Sequence, residues 1–149
     1  MKIEYSIDIH SQPKMVFARI GDPEKAKAWM KNVSNSEIIR ETPERVGTTF
    51  RERVEEGGNG LDMLGEITGF VPDRSISFHL TSKIHELDVD YAVVDHAGGA
   101  RLMVNSTIRW KFPMNVMELF IGKKIRSNIL EEFRGECAEL KRLCETENA

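Results

Sequence analysis

The sequence predicts an α+β domain in which a curved antiparallel sheet of seven strands wraps one long C-terminal helix, with two short helices between strands one and two. Three observations carry this. The chain opens on the period-two alternation of KIEYSIDIH, residues 34–112 hold strand after strand broken by turn-rich stretches, and after Pro113 the apolar period lengthens to that of a helix. A chain of 149 residues has the size of one compact domain able to bury a core and line a cavity, so residues 1–149 are read as a single domain.

Taken in order, Ile3, Tyr5, Ile7 and Ile9 share one face of the first strand, opposite Lys2, Glu4, Ser6, Asp8 and His10. Ser11 as a cap, Pro13 in the first turn and Val16, Phe17 and Ile20 at helical spacing predict a helix ending near Gly21. Asp22 before Pro23 starts a second one reaching Met30. Six strands follow, separated by TPERVG, EEGGNG, VPDR, TSK and DHAGGA, whose residues suit turns. On their apolar sides lie Phe50 and Val54, then Met63 and Ile67, then Ile76, Phe78 and Leu80, then Leu87, Val89, Tyr91 and Val93, and finally Leu102, Val104, Ile108, Trp110 and Phe112. Gly65 and Gly69 fall on the inward side of the fourth strand, where they are expected to leave room. Met117, Ile121, Ile125, Ile129, Phe133, Cys137, Leu140 and Cys144 form one stripe of a terminal helix of roughly thirty residues, about 45 Å long. Gly122 and Gly135 weaken that helix and are read as places to bend.

Several function classes drop out on composition. Lys and Arg number 21 against 24 Asp and Glu, a formal net charge of −3, with no basic block dense enough to follow a phosphate backbone, so no nucleic-acid partner is expected. No apolar run is long enough to span a bilayer and the N-terminus lacks a signal-peptide core, which predicts a cytoplasmic protein without a transmembrane segment. The two cysteines, Cys137 and Cys144, stand two turns apart on the terminal helix, too far to bridge, and are read as reduced packed thiols. With no CxxC and no Cys/His cluster, neither a metal nor any other cofactor is expected. Gly98 and Gly99 belong to a hairpin and lack the helix that a phosphate-cradling loop needs.

The order of elements and particular segments resemble the START-like helix-grip superfamily, which includes polyketide cyclase/dehydrase-like and birch-pollen-allergen-like proteins. The likeness runs end to end. It is carried by IDIHSQPKMVFARIGDPEKAKAWM, VGTTFRERVEE, GEITGFVPDRSISFHL and GGARLMVNSTIRW, which mark a scaffold and contain no catalytic signature. The resemblance implies a cavity between the long helix and the concave sheet, its mouth near the short helices, holding a small hydrophobic or amphipathic molecule. General pocket chemistry points the same way.

The residues expected to line that cavity are Trp29, Val54, Met63, Ile67, Phe78, Val89, Tyr91, Val104, Ser106, Ile108, Trp110 and Ile129. The polar residues sharing the inward faces are Glu52, Thr48, His85, Tyr91 and Ser106. Burying such groups costs about 1–3 kcal/mol or more each unless they are paired, so Glu52, His85 and Tyr91 are the catalytic candidates, as acid, base or hydrogen-bond donor. Against this stands a plainer reading: Glu52, between Arg51 and Arg53, turns outward at a strand edge, His85 reaches solvent beside TSK, and Tyr91 is a core tyrosine. His10 and His79 oppose the apolar faces and belong outside, while GKKIR, residues 122–126, is a solvated basic face or a contact for an anionic surface. Three functions stay open: ligand binding, a cyclase- or dehydratase-like enzyme acting on a polyketide-like carbonyl compound, and a partner-binding module, as a monomer or homodimer.

Overall fold

The computed structural model describes residues 1–30, 32–56 and 59–147. The chain runs β1 (Lys2–Ile9), α1 (Pro13–Gly21), α2 (Pro23–Ala26), β2 (Val33–Arg40), β3 (Thr49–Glu56), β4 (Asn59–Val71), β5 (Ser75–Thr81), β6 (His85–His96), β7 (Gly99–Trp110) and α3 (Met114–Glu147). One seven-stranded antiparallel sheet results, in the order β1-β7-β6-β5-β4-β3-β2. From β2 onward each strand pairs with its sequence neighbour, which short turns permit. Only β1 breaks that order. It pairs with β7, Ile3 opposite Ser106 and Tyr5 opposite Val104, so α1 and α2 carry the chain from one edge of the sheet to the other.

Alternation sets which face is buried. In β7, Ala100, Leu102, Val104, Ser106 and Ile108 are all buried, and Tyr91 and Val93 of β6 lie beside them. Val16, Phe17 and Ile20 of α1 and Cys137, Leu140 and Cys144 of α3 close over this face and join it in one core. Both thiols are free and buried. The N-cap of α1 is Gln12, without a side-chain cap hydrogen bond, so Ser11 does not cap it; Pro13 sits in the first turn, where its missing N–H costs nothing.

Two expectations are corrected. Gly65 does not leave room, because the ring of Phe50, its cross-strand partner, lies over it: a Cβ there would stand 2.3 Å from the Phe50 ring. The glycine is needed for that close approach. The α3 stripe also does not bury along its whole length. Cys137, Leu140 and Cys144 are buried, Ile125, Ile129 and Phe133 are half-buried, and Met117 and Ile121 are exposed. The change comes at a bend at Ile121 (φ −124°, ψ 21°), beside Gly122, whereas Gly135 lies in unbroken helix. Near the bend Leu119 and Phe120 are each 82% exposed, and Phe112, before α3, is 79% exposed.

Candidate functional site

The candidate site is built on the inner face, where polar side chains meet the core. Glu52 follows Phe50 by two residues in β3 and pairs with Met63, itself buried, so alternation turns it inward while Arg51 and Arg53 face out. Arg53 bonds Asp62 at 2.9 Å and Glu55 at 3.0 Å and leaves Glu52 alone. The flanking arginines therefore do not draw Glu52 to the surface. Half-buried, its carboxyl is held above the usual carboxylate range by loss of water.

Tyr91, 8% exposed, is set by a line of edge-on rings: Phe50 to Phe78 at 5.8 Å between centroids, Phe78 to Tyr91 at 6.2 Å, and Tyr91 to Trp29 at 6.2 Å. Trp29 anchors the end of the line, 1% exposed, its Nε1 donating to the carbonyl of Arg19 at 3.1 Å. Among the described residues the Tyr91 hydroxyl has no hydrogen-bond partner. Its pKa is pushed well up by burial first, then by the charges of Glu136, Cys137 and Glu52, which places all three within electrostatic reach of it.

Glu136 was missed in the sequence. It lies three residues after Phe133 and four before Leu140, and so on the side of α3 that faces the core, but a lone carboxylate in a charged helix reads as solvated surface. In the fold it is half-buried, and desolvation, with Glu52 adding to it, raises its pKa to about 7. The neighbouring Cys137 thiol is pushed to about 12, by burial and then by Glu136, and stays neutral. The interior thus gathers two carboxyls, a phenol and a thiol from three elements. Among the described residues no basic group contributes to the shift of either carboxyl.

His85 belongs to a different cluster. It is buried, not solvent-directed, with its Nδ1 2.7 Å from the Ser82 hydroxyl and its ring 5.2 Å from that of Trp110. This is a cap on the β5–β6 turn, where the Ser82 hydroxyl also accepts the N–H groups of Ile84 and His85. The Trp110 indole N–H is sealed there without a partner among the described residues. Thr48 is engaged by Thr42, whose N–H it accepts at 3.1 Å. Of the other expected lining residues, Met63, Ile67, Val89, Val104, Ser106 and Ile108 are buried, and Val54, Phe78 and Ile129 are half-buried. His79 lies on the outer face against Asp88, and His10 is exposed.

Two concavities open elsewhere. One of about 360 Å³ lies between the start of α1, Asp73, Arg74 and the end of β6, and one of about 170 Å³ lies beside Phe17, Arg45 and Phe70. Neither touches Glu52, Tyr91 or Glu136. Among the described residues no group of three or more His, Cys, Asp or Glu is placed to hold a metal ion.

Comparison with known proteins agrees with this architecture. Residues 1–145 match the family described as polyketide cyclase / dehydrase and lipid transport. No curated protein sequence matches the chain. A Thermus thermophilus protein of solved structure is 15% identical, superposes with a TM-score of 0.84 and is covered over 100% of both chains. A START superfamily protein from Mycobacterium smegmatis is 13% identical over 97% of both chains, at a TM-score of 0.81. The Zhui aromatase/cyclase from Streptomyces sp. R1128 is 10% identical over 100% of this chain and 96% of that one, at 0.84. Identities this low speak to the fold alone. With the family match running almost end to end on a helix-grip sheet, the chain belongs to the polyketide cyclase/dehydrase and lipid transport family.

Proposed function

We propose that the protein binds a small hydrophobic or amphipathic molecule between the inner face of the sheet and α3. The observation that carries this is the set of polar groups left on an otherwise apolar face: the Tyr91 hydroxyl, without a hydrogen-bond partner among the described residues, and the two carboxyls within electrostatic reach of it. Buried polar groups are normally paired, and a ligand's polar end can satisfy these while its apolar body covers Phe78, Val89 and Met63. Apolar burial, at roughly 25 cal/mol per Å², supplies the affinity and the polar cluster sets the orientation. Native mass spectrometry of protein purified without detergent, with titration of the neutral probe Nile red, tests this. A one-to-one complex weakened by Tyr91→Phe is expected; absence of any binding defeats the proposal.

A second reading, acid–base chemistry on a polyketide-like carbonyl compound, is favoured by one feature. Glu136, with a pKa of about 7, is balanced between proton donor and acceptor at neutral pH. The candidate set then becomes Glu52, Glu136 and Tyr91, with His85 absorbed in its turn. Cyclisation of a short polyketone, followed from pH 5 to 9, should show a rate that follows Glu136 ionisation and collapses in Glu136→Gln. Turnover no faster than buffer removes this reading.

A further inference from the structure

We propose that the first turns of α3 dock on an anionic lipid surface, with apolar side chains entering the acyl layer and Lys123 and Lys124 meeting the acidic headgroups. This goes beyond the ligand-binding reading and does not depend on what the interior holds.

The helix is fastened along β1 only from Arg126 onward. Arg126 donates to the carbonyl of Lys2, Lys141 donates to that of Asp8 at 2.7 Å, and Glu145 accepts the N–H of His10 at 3.2 Å. That stretch also buries Cys137, Leu140 and Cys144 in the core. Among the described residues no side chain between Met114 and Lys124 is hydrogen-bonded or ion-paired to the sheet. The start of the helix is a free end.

That end is apolar. Val116, Met117, Leu119, Phe120 and Ile121 are all exposed, Leu119 and Phe120 most of all. Val116 neighbours Leu119 and Phe120 at spacings of three and four, and Met117 likewise neighbours Phe120 and Ile121, so the five make one continuous surface. At about 100° per residue they spread over about 200° of the helix circumference. Glu118, the acid of this stretch, falls outside that arc and is half-buried. A helix packed on a protein core presents an apolar stripe nearer half that width, whereas an acyl layer surrounds whatever enters it.

Charge is the second observation. Lys123 and Lys124 are exposed, follow the apolar turns at once and have no ion pair among the described residues. Elsewhere on the surface Arg53, Arg101, Arg109 and Arg142 each hold a carboxylate within 3.0 Å. Between Met114 and Arg126 the charges are Lys123, Lys124 and Arg126 against Glu118, in a chain of formal net charge −3. This end is therefore opposite in sign to the whole. A second copy seated symmetrically on the same turns would set Lys123 and Lys124 against their own images, where like charges repel. Acidic headgroups meet the same lysines with attraction. No helix among the described residues is long and apolar enough to cross a bilayer, so these turns lie at its surface.

The test is flotation with vesicles of phosphatidylcholine alone and of phosphatidylcholine with about 30% phosphatidylserine. At about 0.1 M salt, partition into the serine-containing vesicles is expected to exceed that into phosphatidylcholine at least tenfold, and at about 1 M salt to fall back towards it. Leu119→Gln with Phe120→Gln should weaken it at least tenfold. Lys123→Gln with Lys124→Gln should weaken it about thirtyfold, at roughly fivefold per charge. Ile38→Gln with Ile39→Gln, at exposed positions of the edge strand β2, should leave it unchanged. Each variant is checked for fold by circular dichroism and for mass by light scattering. No partition, equal partition into both vesicles, or serine-dependent partition that survives Leu119→Gln with Phe120→Gln overturns the inference. A dimer that this pair of changes dissociates, in protein that does not float, gives the turns to a second copy and overturns it too.

Discussion

On the outer face of the sheet, Asp88 stands 2.8 Å from His79 and 2.9 Å from Arg109, and Asp8 stands 2.8 Å from Arg101; both carboxyls are held below the ordinary carboxylate range, chiefly by these hydrogen bonds. On the inner face, Glu52 and Glu136 have no cation acting on them among the described residues, and desolvation pushes both up. The same functional group is handled in opposite ways on the two sides of one sheet. Outer acids are solvated and paired, and contribute little to stability one at a time. Inner acids oppose folding, so their presence on an apolar face is a cost that binding or chemistry explains better than stability does.

The contrast can be broken most strongly at the ring line that supports the inner site. Trp29→Ala removes a side chain that is 1% exposed and the end of that line, and should cost about 3–5 kcal/mol in denaturant unfolding. A loss under about 1 kcal/mol would mean that the inner face is not held by these rings.

The next effect has the opposite sign. Glu136 titrates near 4.5 in the unfolded chain and about 7 in the fold, so as pH rises the unfolded chain gives up its proton first. Stability therefore falls between pH 4.5 and pH 7, and the full penalty, about 3 kcal/mol, stands above that window. Glu136→Gln should leave thermal stability nearly unchanged at pH 4.5 and raise it at pH 8 by about 3 kcal/mol. Equal melting temperatures at pH 8 would place Glu136 in water.

A smaller effect sharpens the relation between the two inner acids. Because Glu52 adds to the rise at Glu136, Glu52→Gln should bring the Glu136 titration down from about 7 towards 4.5, read by carboxyl carbon-13 NMR. An unmoved midpoint would separate the two groups.

The smallest change belongs to the outer face. Asp88 has a lowered pKa in the fold, so its contribution is present above about pH 4 and is lost as pH falls through the folded value. Asp88→Asn should cost at most about 1 kcal/mol at pH 7 and nothing near pH 2, with salt reducing the difference. A loss as large as that of Trp29→Ala would erase the distinction between the faces.

Much of this could be read directly from the residues. Alternation fixed the buried face of β6 and β7, because a strand's side chains have only two directions, and put Glu52 on the side of Phe50 and Val54 while leaving open an outward turn at the strand edge. Turn residues located the connections, and the lengthened period after Pro113 located α3. Three things needed the packed chain. Whether Gly65 opens space or receives a ring depended on Phe50, fifteen positions away in sequence and opposite it in the sheet. Whether the α3 stripe buries depended on the bend at Ile121: up to that point the apolar pattern meets water, and further along the helix it meets the core. Glu136 became part of the site only when a helix from the end of the chain brought it within electrostatic reach of Glu52 and Tyr91. Periodicity is a local property, set within a few residues by backbone geometry, whereas a pKa answers to whatever charge and water surround the group in three dimensions. The sequence by itself determined the strands, the helices and their apolar faces; the tertiary structure decided which acids would be left inside without a cation.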